Sequence, residues 1–367
     1  MTDTTSGVFE LQPRGGGFLR DPARSLQPRP DDPFVPEKLA NRAGLVTGAT
    51  VTGPVSRGKK GPVLADVASV CDLAPDVFRD RTPFAQLTVV NPELRFRLGD
   101  QENVSLRLID LLAPIARGTR GLVVAAPRTG KTQLLEDLAL GIAADAPEAR
   151  LVVLLLDERP EEVTHFRRRV PAEVLASSND EDIATHVRLA ELCLARARCE
   201  LECGRDVVIL VDSLTRMGRA FNQHGSGSGR TMSGGLDSRA LEIPRRFFGL
   251  ARNVEDGGSV TVVATALVET GSRMDDLIFE EFKGTGNMEL VLDRRLAEKR
   301  IFPAIDVRQS GTRRDELLYT DDEFAAVNLL RRGAVAASAE QAMAGLLKLM
   351  RTHATNAELL DAMRPGA

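Results

Sequence analysis

Continuous apolar and β-branched runs punctuate the middle of the chain: Leu122-Val123-Val124, Leu151 to Leu156, DVVILV at Asp206 to Val211, and SVTVVATA at Ser259 to Ala266. Runs without polar alternation are those of parallel strands covered on both faces. Between and after them the spacing turns helical, over Gln133 to Ala144, Ile183 to Glu202 and Ser338 to Met363. This alternation predicts an α/β nucleotide-binding core over residues 104–367. Residues 7–74 read differently. Short stretches at Gly7 to Leu11, Gly17 to Arg20, Thr50 to Thr52 and Val63 to Val70 are separated by Gly, Pro and Asp clusters, the spacing of a small β-barrel. Residues 1–6 are expected to be disordered. Residues 75–103, which contain Pro75, Pro83 and Pro92, are expected to form a connector with local structure.

The 367 residues leave room for two domains, and 43% apolar with 27% charged residues is the composition of a soluble globular chain. No run approaches the roughly 18 apolar residues of a membrane span, and the N-terminus lacks a signal-peptide core, so a cytoplasmic location is expected. A net charge of −4 argues against a wholly basic nucleic-acid binder but is silent about a local groove or ring lumen. Cys71, Cys193, Cys199 and Cys203 make no CxxC pair, and four histidines are scattered singly; free thiols rather than metal ligands are expected.

AAPRTGKT at Ala125 to Thr132 follows the first apolar run and precedes a helical segment. A flexible loop between strand and helix can cradle phosphates on backbone N–H groups. Lys131 would reach the β/γ-phosphates of ATP and Thr132 would ligate Mg²⁺; Ala125 stands where the generic motif has Gly. Asp212 ends the run DVVILVD, the usual place for a carboxylate that holds the Mg²⁺ shell through water, although Asp-Ser is also a good helix cap. Glu158 ends another run and could polarise the attacking water if the two strands lie side by side; alone, Asp157-Glu158 reads as a strand-end turn. Arg300 and Arg313 could offset charge in phosphoryl transfer, or be surface arginines. His224 to Gly235, with Arg230, and Gly271 to Met274 are Gly/Ser-rich loops whose composition assigns no ligand.

The stretches LLLDERPEEVTHFRR, VILVDSLTRMGRAFN, RRFFGLARNVEDGGSVTVVATALVETGSRMD, EEFKGTGNMEL and AEKRIFPAIDVRQSGTRRDELL closely resemble the Rho family of bacterial transcription terminators, from about Leu106 to the C-terminus and more weakly over residues 7–70. The resemblance implies a RecA-like P-loop ATPase domain preceded by an OB-fold of the cold-shock type. It further implies a homohexamer that moves 5′ to 3′ on single-stranded RNA and displaces transcripts from RNA polymerase. It makes Arg128, Thr129, Gly130, Lys131, Thr132 and Gln133 the phosphate loop, with Ala116, Arg117, Gly118, Thr119, Arg120 and Gly121 also lining the nucleotide site. Glu158 becomes the base, Arg159 a nucleotide contact, Asp212 the Mg²⁺-side carboxylate, and Phe302 the adenine's packing partner. Arg313, supported by Arg300, would be an arginine finger acting in trans. Thr231, Met232, Ser233, Gly234, Gly235 and Arg273 would grip RNA in the channel. Relatives usually have lysine where Arg128 and Arg273 stand, and the two cations are not equivalent.

In the barrel, Gly15, Gly16, Gly17, Phe18, Leu19 and Arg20, with Asp32, Pro33 and Phe34, match the family's RNA-capture residues. Two stacking aromatics are replaced: Gly16 stands at one position and Gly61 at the counterpart of the other. Each stacked base contributes about 1–3 kcal/mol, so weaker capture is expected. For Phe18 and Phe34, barrel core packing is the competing role. The small helical module that usually precedes the barrel is expected to be missing. Two other readings stay open: another hexameric RecA-like motor, or a divergent paralogue that regulates RNA polymerase or a terminator.

Overall fold

The computed structural model describes residues 4–59, 61–225, 235–237 and 239–363. Six strands form the N-terminal barrel: β1 (Thr4–Leu11), β2 (Gly17–Arg20), β3 (Phe34–Val35), β4 (Thr50–Gly58), β5 (Gly61–Leu64) and β6 (Ser69–Val70). Their order is β1-β2-β3-β5-β4-β6, and β1 also pairs with β4 to close the ring. Alternate residues point inward, so Phe9, Leu19, Val35, Val51, Leu64 and Val70 fill the interior, joined by Phe78 from the helix Pro75–Arg79. The strand begins earlier than the sequence suggests. Thr4, Thr5 and Ser6, expected to be disordered, pair with Pro54, Gly53 and Thr52, because the nine-residue β4 supplies an edge for them. Residues 1–3 lie outside the described residues.

The second sheet contains β7 (Val89–Val90), β8 (Arg120–Ala125), β9 (Arg150–Glu158), β10 (Glu173–Ser178), β11 (Val207–Asp212), β12 (Arg252–Val254), β13 (Ser259–Leu267), β14 (Met288–Leu292) and β15 (Gly311–Thr312). The order β10-β9-β11-β13-β8-β14 is parallel throughout. Each apolar run feeds two cores: Val123, Leu155, Leu210 and Val263 face one side, while Leu122, Leu154, Ile209 and Val262 face the other. That two-sided burial is why these strands carry no polar alternation. The connector is not separate from this sheet, because β7 pairs with β12 and covers what would otherwise be a free edge.

Three helices position the chemistry: α1 (Lys131–Asp145) follows β8, α2 (Ile183–Glu202) leads into β11, and α3 (Leu214–Gly225) leaves it. The barrel sits on α2. Arg188 on that helix holds Glu10 of β1 through Nε and Nη2 at 2.6 and 2.7 Å, and Thr50 donates to Glu200 at 3.0 Å. Among the described residues no helix is long and apolar enough to cross a membrane.

Candidate active site and RNA-binding face

In a parallel sheet the ligand site forms beyond the carboxyl ends of the strands. Here β8 ends at Ala125, β9 at Glu158 and β11 at Asp212, and β9 and β11 are hydrogen-bonded neighbours with Asp212 opposite Leu155. The turn out of β8 uses left-handed backbone at Arg128 (φ 67°) and Gly130 (φ 91°), and Gly130 caps α1, so Lys131 is the first helical residue. Buried Thr129 donates to the Ala126 carbonyl at 2.8 Å and closes the loop from within.

Lys131 Nζ lies 2.6 Å from Asp212 Oδ1, which also accepts from Thr265 Oγ1 at 3.0 Å. Asp212 is 1% exposed, and its Oδ2 has no hydrogen-bond partner among the described residues. A buried carboxylate oxygen left unpartnered is a ready acceptor for a cation's hydration shell. Thr132 Oγ1 is 3.4 Å from Glu162 Oε2, so the Thr132 hydroxyl stands at the same edge.

Glu158 is buried, 3.2 Å from Arg216 Nη2, and it accepts from the Arg159 N–H at the same distance. Burial, reinforced by the Asp212 carboxylate, pushes its pKa above the ordinary glutamate value, while Arg216 and Lys131 oppose the rise. Arg216, which also donates to the Asp157 carbonyl, and Glu162 were not singled out by sequence pattern. The available signal for Arg216 was its place four residues after Asp212 on the first turn of the next helix.

Beside the loop, a cavity of about 490 Å³ is lined by Val104, Thr129, Gly130, Gln133, Asp137 and Phe302. Phe302 is 43% exposed, and its ring reaches within 3.4 Å of where a Gly130 Cβ would stand. A bare aromatic face at the mouth of such a cavity suits a planar base. Exposed Arg159 caps the helix after β9, and exposed Arg300, with φ 59°, precedes Phe302 at this edge.

The segment Ala116, Arg117, Gly118, Thr119, Arg120 and Gly121 is not there. It enters β8 at the amino edge, and a six-residue strand puts roughly 16–20 Å between it and the loop. Arg117 is paired with Glu148 and Asp206, the Gly118 N–H donates to Thr261 Oγ1 at 2.9 Å, and the Arg120 N–H donates to Asn287 Oδ1 at 2.8 Å. Arg313 belongs to the same amino edge: its N–H donates to the Asn287 carbonyl at 2.7 Å and its guanidinium to the Gly284 carbonyl at 2.9 Å. Arg300 and Arg313 therefore do not meet within one chain. The hairpin from β14 to β15 carries them to opposite ends of the strands.

Of the residues expected to grip RNA, Thr231, Met232, Ser233 and Gly234 lie outside the described residues. Gly235 accepts from Asn222 Nδ2 at 2.9 Å, and that nitrogen is also 3.9 Å from Met274 Sδ, so the two sequence-distant loops adjoin. Arg273, the first residue of the helix Arg273–Phe282, is exposed.

On the barrel, the Phe18 and Phe34 rings meet edge to face at 5.5 Å, both half-buried. Leu19 points the other way, into the core, as strand alternation requires. Arg20 is 6% exposed and is held by Glu10 Oε2 at 2.6 Å and Asp32 Oδ2 at 2.5 Å, with its guanidinium 4.9 Å from the Phe18 ring. Arg20 and Asp32 are thus paired with each other inside the protein, against the Phe18 ring, while Leu19 belongs to the barrel core. Gly15 and Gly16 are left-handed, and a Cβ on Gly16 would stand 2.7 Å from the Val35 carbonyl oxygen. Gly17 is equally crowded, 2.3 Å from the Glu10 carbonyl oxygen, while Pro33 accepts from the Leu19 N–H at 2.9 Å.

A parallel sheet with a phosphate loop, a lysine, two buried carboxylates and a base-sized cavity at its carboxyl edge, joined to a six-stranded barrel, defines a RecA-like P-loop ATPase with an OB-fold domain. The nucleotide-binding domain of the ATP synthase alpha/beta family matches residues 105–312, and the RNA-binding domain of the Rho termination factor matches residues 5–76. The chain is 49% identical to the transcription termination factor Rho of Streptomyces coelicolor over 100% of its length and 87% of that protein's, and 46% identical to that of Haemophilus influenzae over 98% and 87%. It belongs to the Rho transcription termination factor family. Among solved structures, a prototypical ATPase from the type III secretion system of pathogenic bacteria shares the fold, with TM-score 0.62 at 22% identity over 84% of this chain and 93% of that one.

Proposed function

We propose that this chain is an ATP-driven, RNA-stimulated translocase and helicase that terminates transcription, moving 5′ to 3′ on single-stranded RNA and releasing the transcript from the RNA polymerase elongation complex. It works as a homohexamer in the cytoplasm, away from any membrane. The observation that carries the reading is the cluster of Lys131, Asp212 and Glu158 at one sheet edge, in a chain whose N-terminal barrel matches an RNA-binding domain.

Arg128, Thr129, Gly130 and Gln133 frame the loop whose N–H groups hold the phosphates, and Lys131 exchanges Asp212 for the β/γ-phosphate oxygens. Phe302 packs on the adenine, with Arg159 and Arg300 close to the nucleotide. The unpartnered Asp212 Oδ2 and the Thr132 hydroxyl fit Mg²⁺, Asp212 partly through water. Mg²⁺, when bound, neutralises charge on the β- and γ-phosphoryl oxygens. Glu158, kept dry at the end of β9, orients the water and takes its proton. Because Arg313 and the Ala116–Gly121 segment stand at the far edge of their own sheet, they serve a neighbouring subunit's nucleotide. Gly235 and Arg273, with Thr231, Met232, Ser233 and Gly234, bind the RNA, and Phe18 and Phe34 stack bases on the barrel.

The test is ATP hydrolysis with poly(C), poly(U), single-stranded DNA and no nucleic acid. Stimulation by RNA alone is expected, and turnover indifferent to nucleic acid overturns the proposal. A second reading, a paralogue that regulates RNA polymerase or another terminator, is favoured by the barrel itself, where the glycines at two stacking positions stand in left-handed backbone. In that case transcript release in a purified transcription system is absent although ATP is hydrolysed.

A further inference from the structure

Cys71 leaves the last barrel strand, and Cys199 and Cys203 lie at the end of α2, one turn apart. The fold brings the three sulfurs together across the boundary between the two domains, all within 4.8 Å of one another, with Cys71 Sγ 3.8 Å from Cys199 Sγ. None of the three is in a disulfide. Two thiolates each about 2.3 Å from a tetrahedral zinc stand ~3.8 Å apart, so this spacing is that of a zinc-thiolate edge. It also exceeds a disulfide bond by nearly a factor of two.

The surroundings suit such a centre. Three thiolates and a divalent cation leave a single negative charge. Arg205, which donates to the Cys71 carbonyl at 2.7 Å and also pairs with Asp72 and Glu200, and Arg81, which pairs with Glu202, stand beside it. A cavity of about 880 Å³, which Cys199 lines together with Arg81, Arg198 and Glu202, gives a route in for the ion and for a water in the fourth position. Among the described residues this is the only cluster of three such ligand groups.

The geometry points to a zinc site formed by Cys71, Cys199 and Cys203 that clamps the RNA-binding barrel to the ATPase domain. Binding releases the thiol protons and ties β6 to α2. The site is independent of the nucleotide chemistry and goes beyond the proposed function.

The test uses the full chain, stripped with a chelator under reducing conditions, given a slight excess of Zn²⁺, desalted and analysed for metal. About one zinc per chain is expected, as is an ultraviolet thiolate-to-metal band when Cd²⁺ replaces Zn²⁺. Cys71→Ser and Cys203→Ser should each reduce zinc retention ~10-fold or more, while Cys193→Ser, on the same helix but outside the cluster, should retain it. Zinc should also raise the Tm of the unaltered chain and leave that of Cys71→Ser unchanged. Should the unaltered chain retain no zinc and give no Cd²⁺ band, the site does not exist, whatever the variants do. Equal retention by a folded Cys71→Ser chain, checked by circular dichroism, overturns it as well.

Discussion

Lys131 and Asp212, 81 positions apart in sequence, form a 2.6 Å ion pair at the carboxyl edge of the sheet, with the carboxylate sealed from solvent. The pair holds the lysine at the mouth of the phosphate loop. Asp212→Asn keeps the shape and removes the charge. We expect steady-state ATP hydrolysis to fall ~10²–10³-fold and the Mg²⁺ requirement to rise, as for loss of one preorganised electrostatic group. An unchanged Mg²⁺ titration would remove Asp212 from the metal's surroundings.

Glu158→Gln should abolish turnover by about 10²–10⁴-fold while nucleotide binding, followed by a fluorescent ATP analogue, survives. Binding lost in parallel with turnover would mean that Glu158 holds the loop together.

The pH profile follows from the same carboxylate. A general base works deprotonated, and burial followed by the Asp212 charge raises the Glu158 pKa above 4.5. Activity should therefore be lost, as pH falls, at a higher pH than an unperturbed glutamate would give. Arg216 opposes the rise, so Arg216→Ala should move the acid limb of kcat/KM further up in pH. A limb that stays in place or moves down would contradict this electrostatic account.

Arg313→Ala should cost about 10³-fold or more in ATP turnover, as expected for an arginine finger. Because Arg313 and the phosphate loop occupy opposite edges of one sheet, mixing Arg313→Ala with Lys131→Ala chains should regenerate some complete sites and restore partial activity. Two inactive chains that stay inactive when mixed and co-assembled would place the finger elsewhere.

On the barrel, Phe18→Ala and Phe34→Ala should each weaken RNA binding by ~1–3 kcal/mol in an equilibrium titration. Restoring the aromatic with Gly16→Phe should not strengthen it, because φ is +69° and a Cβ there meets the Val35 carbonyl oxygen at 2.7 Å. Tighter RNA binding by a fully folded Gly16→Phe chain would show that the barrel rearranges.

The local order of the chain was legible from its own pattern. Apolar runs marked β8, β9, β11 and β13 because each is buried on both faces; Glu158 and Asp212 stood out because each sits where such a run stops, and Lys131 because it closes the loop that follows one. β10, with its short sequence EVLASS, and the polar start of β1 gave no comparable signal. The partners of charged side chains were harder still. Arg20 reads as a free cation until Glu10 and Asp32 are seen on either side of it.

What the sequence by itself determined is the inventory: a phosphate loop, carboxylates at strand ends, a β-barrel of depleted aromatics and four scattered thiols. Period and composition act over a few residues, so they reach no further. Only the tertiary structure decided neighbours. The strand order put Asp212 beside Lys131, the strand direction sent Ala116–Gly121 and Arg313 to the edge away from their own loop, and the seating of the barrel on α2 carried Cys71 to Cys199 across 128 positions. Such contacts are fixed by which faces must be buried against each other, a property of the whole chain that no local window contains.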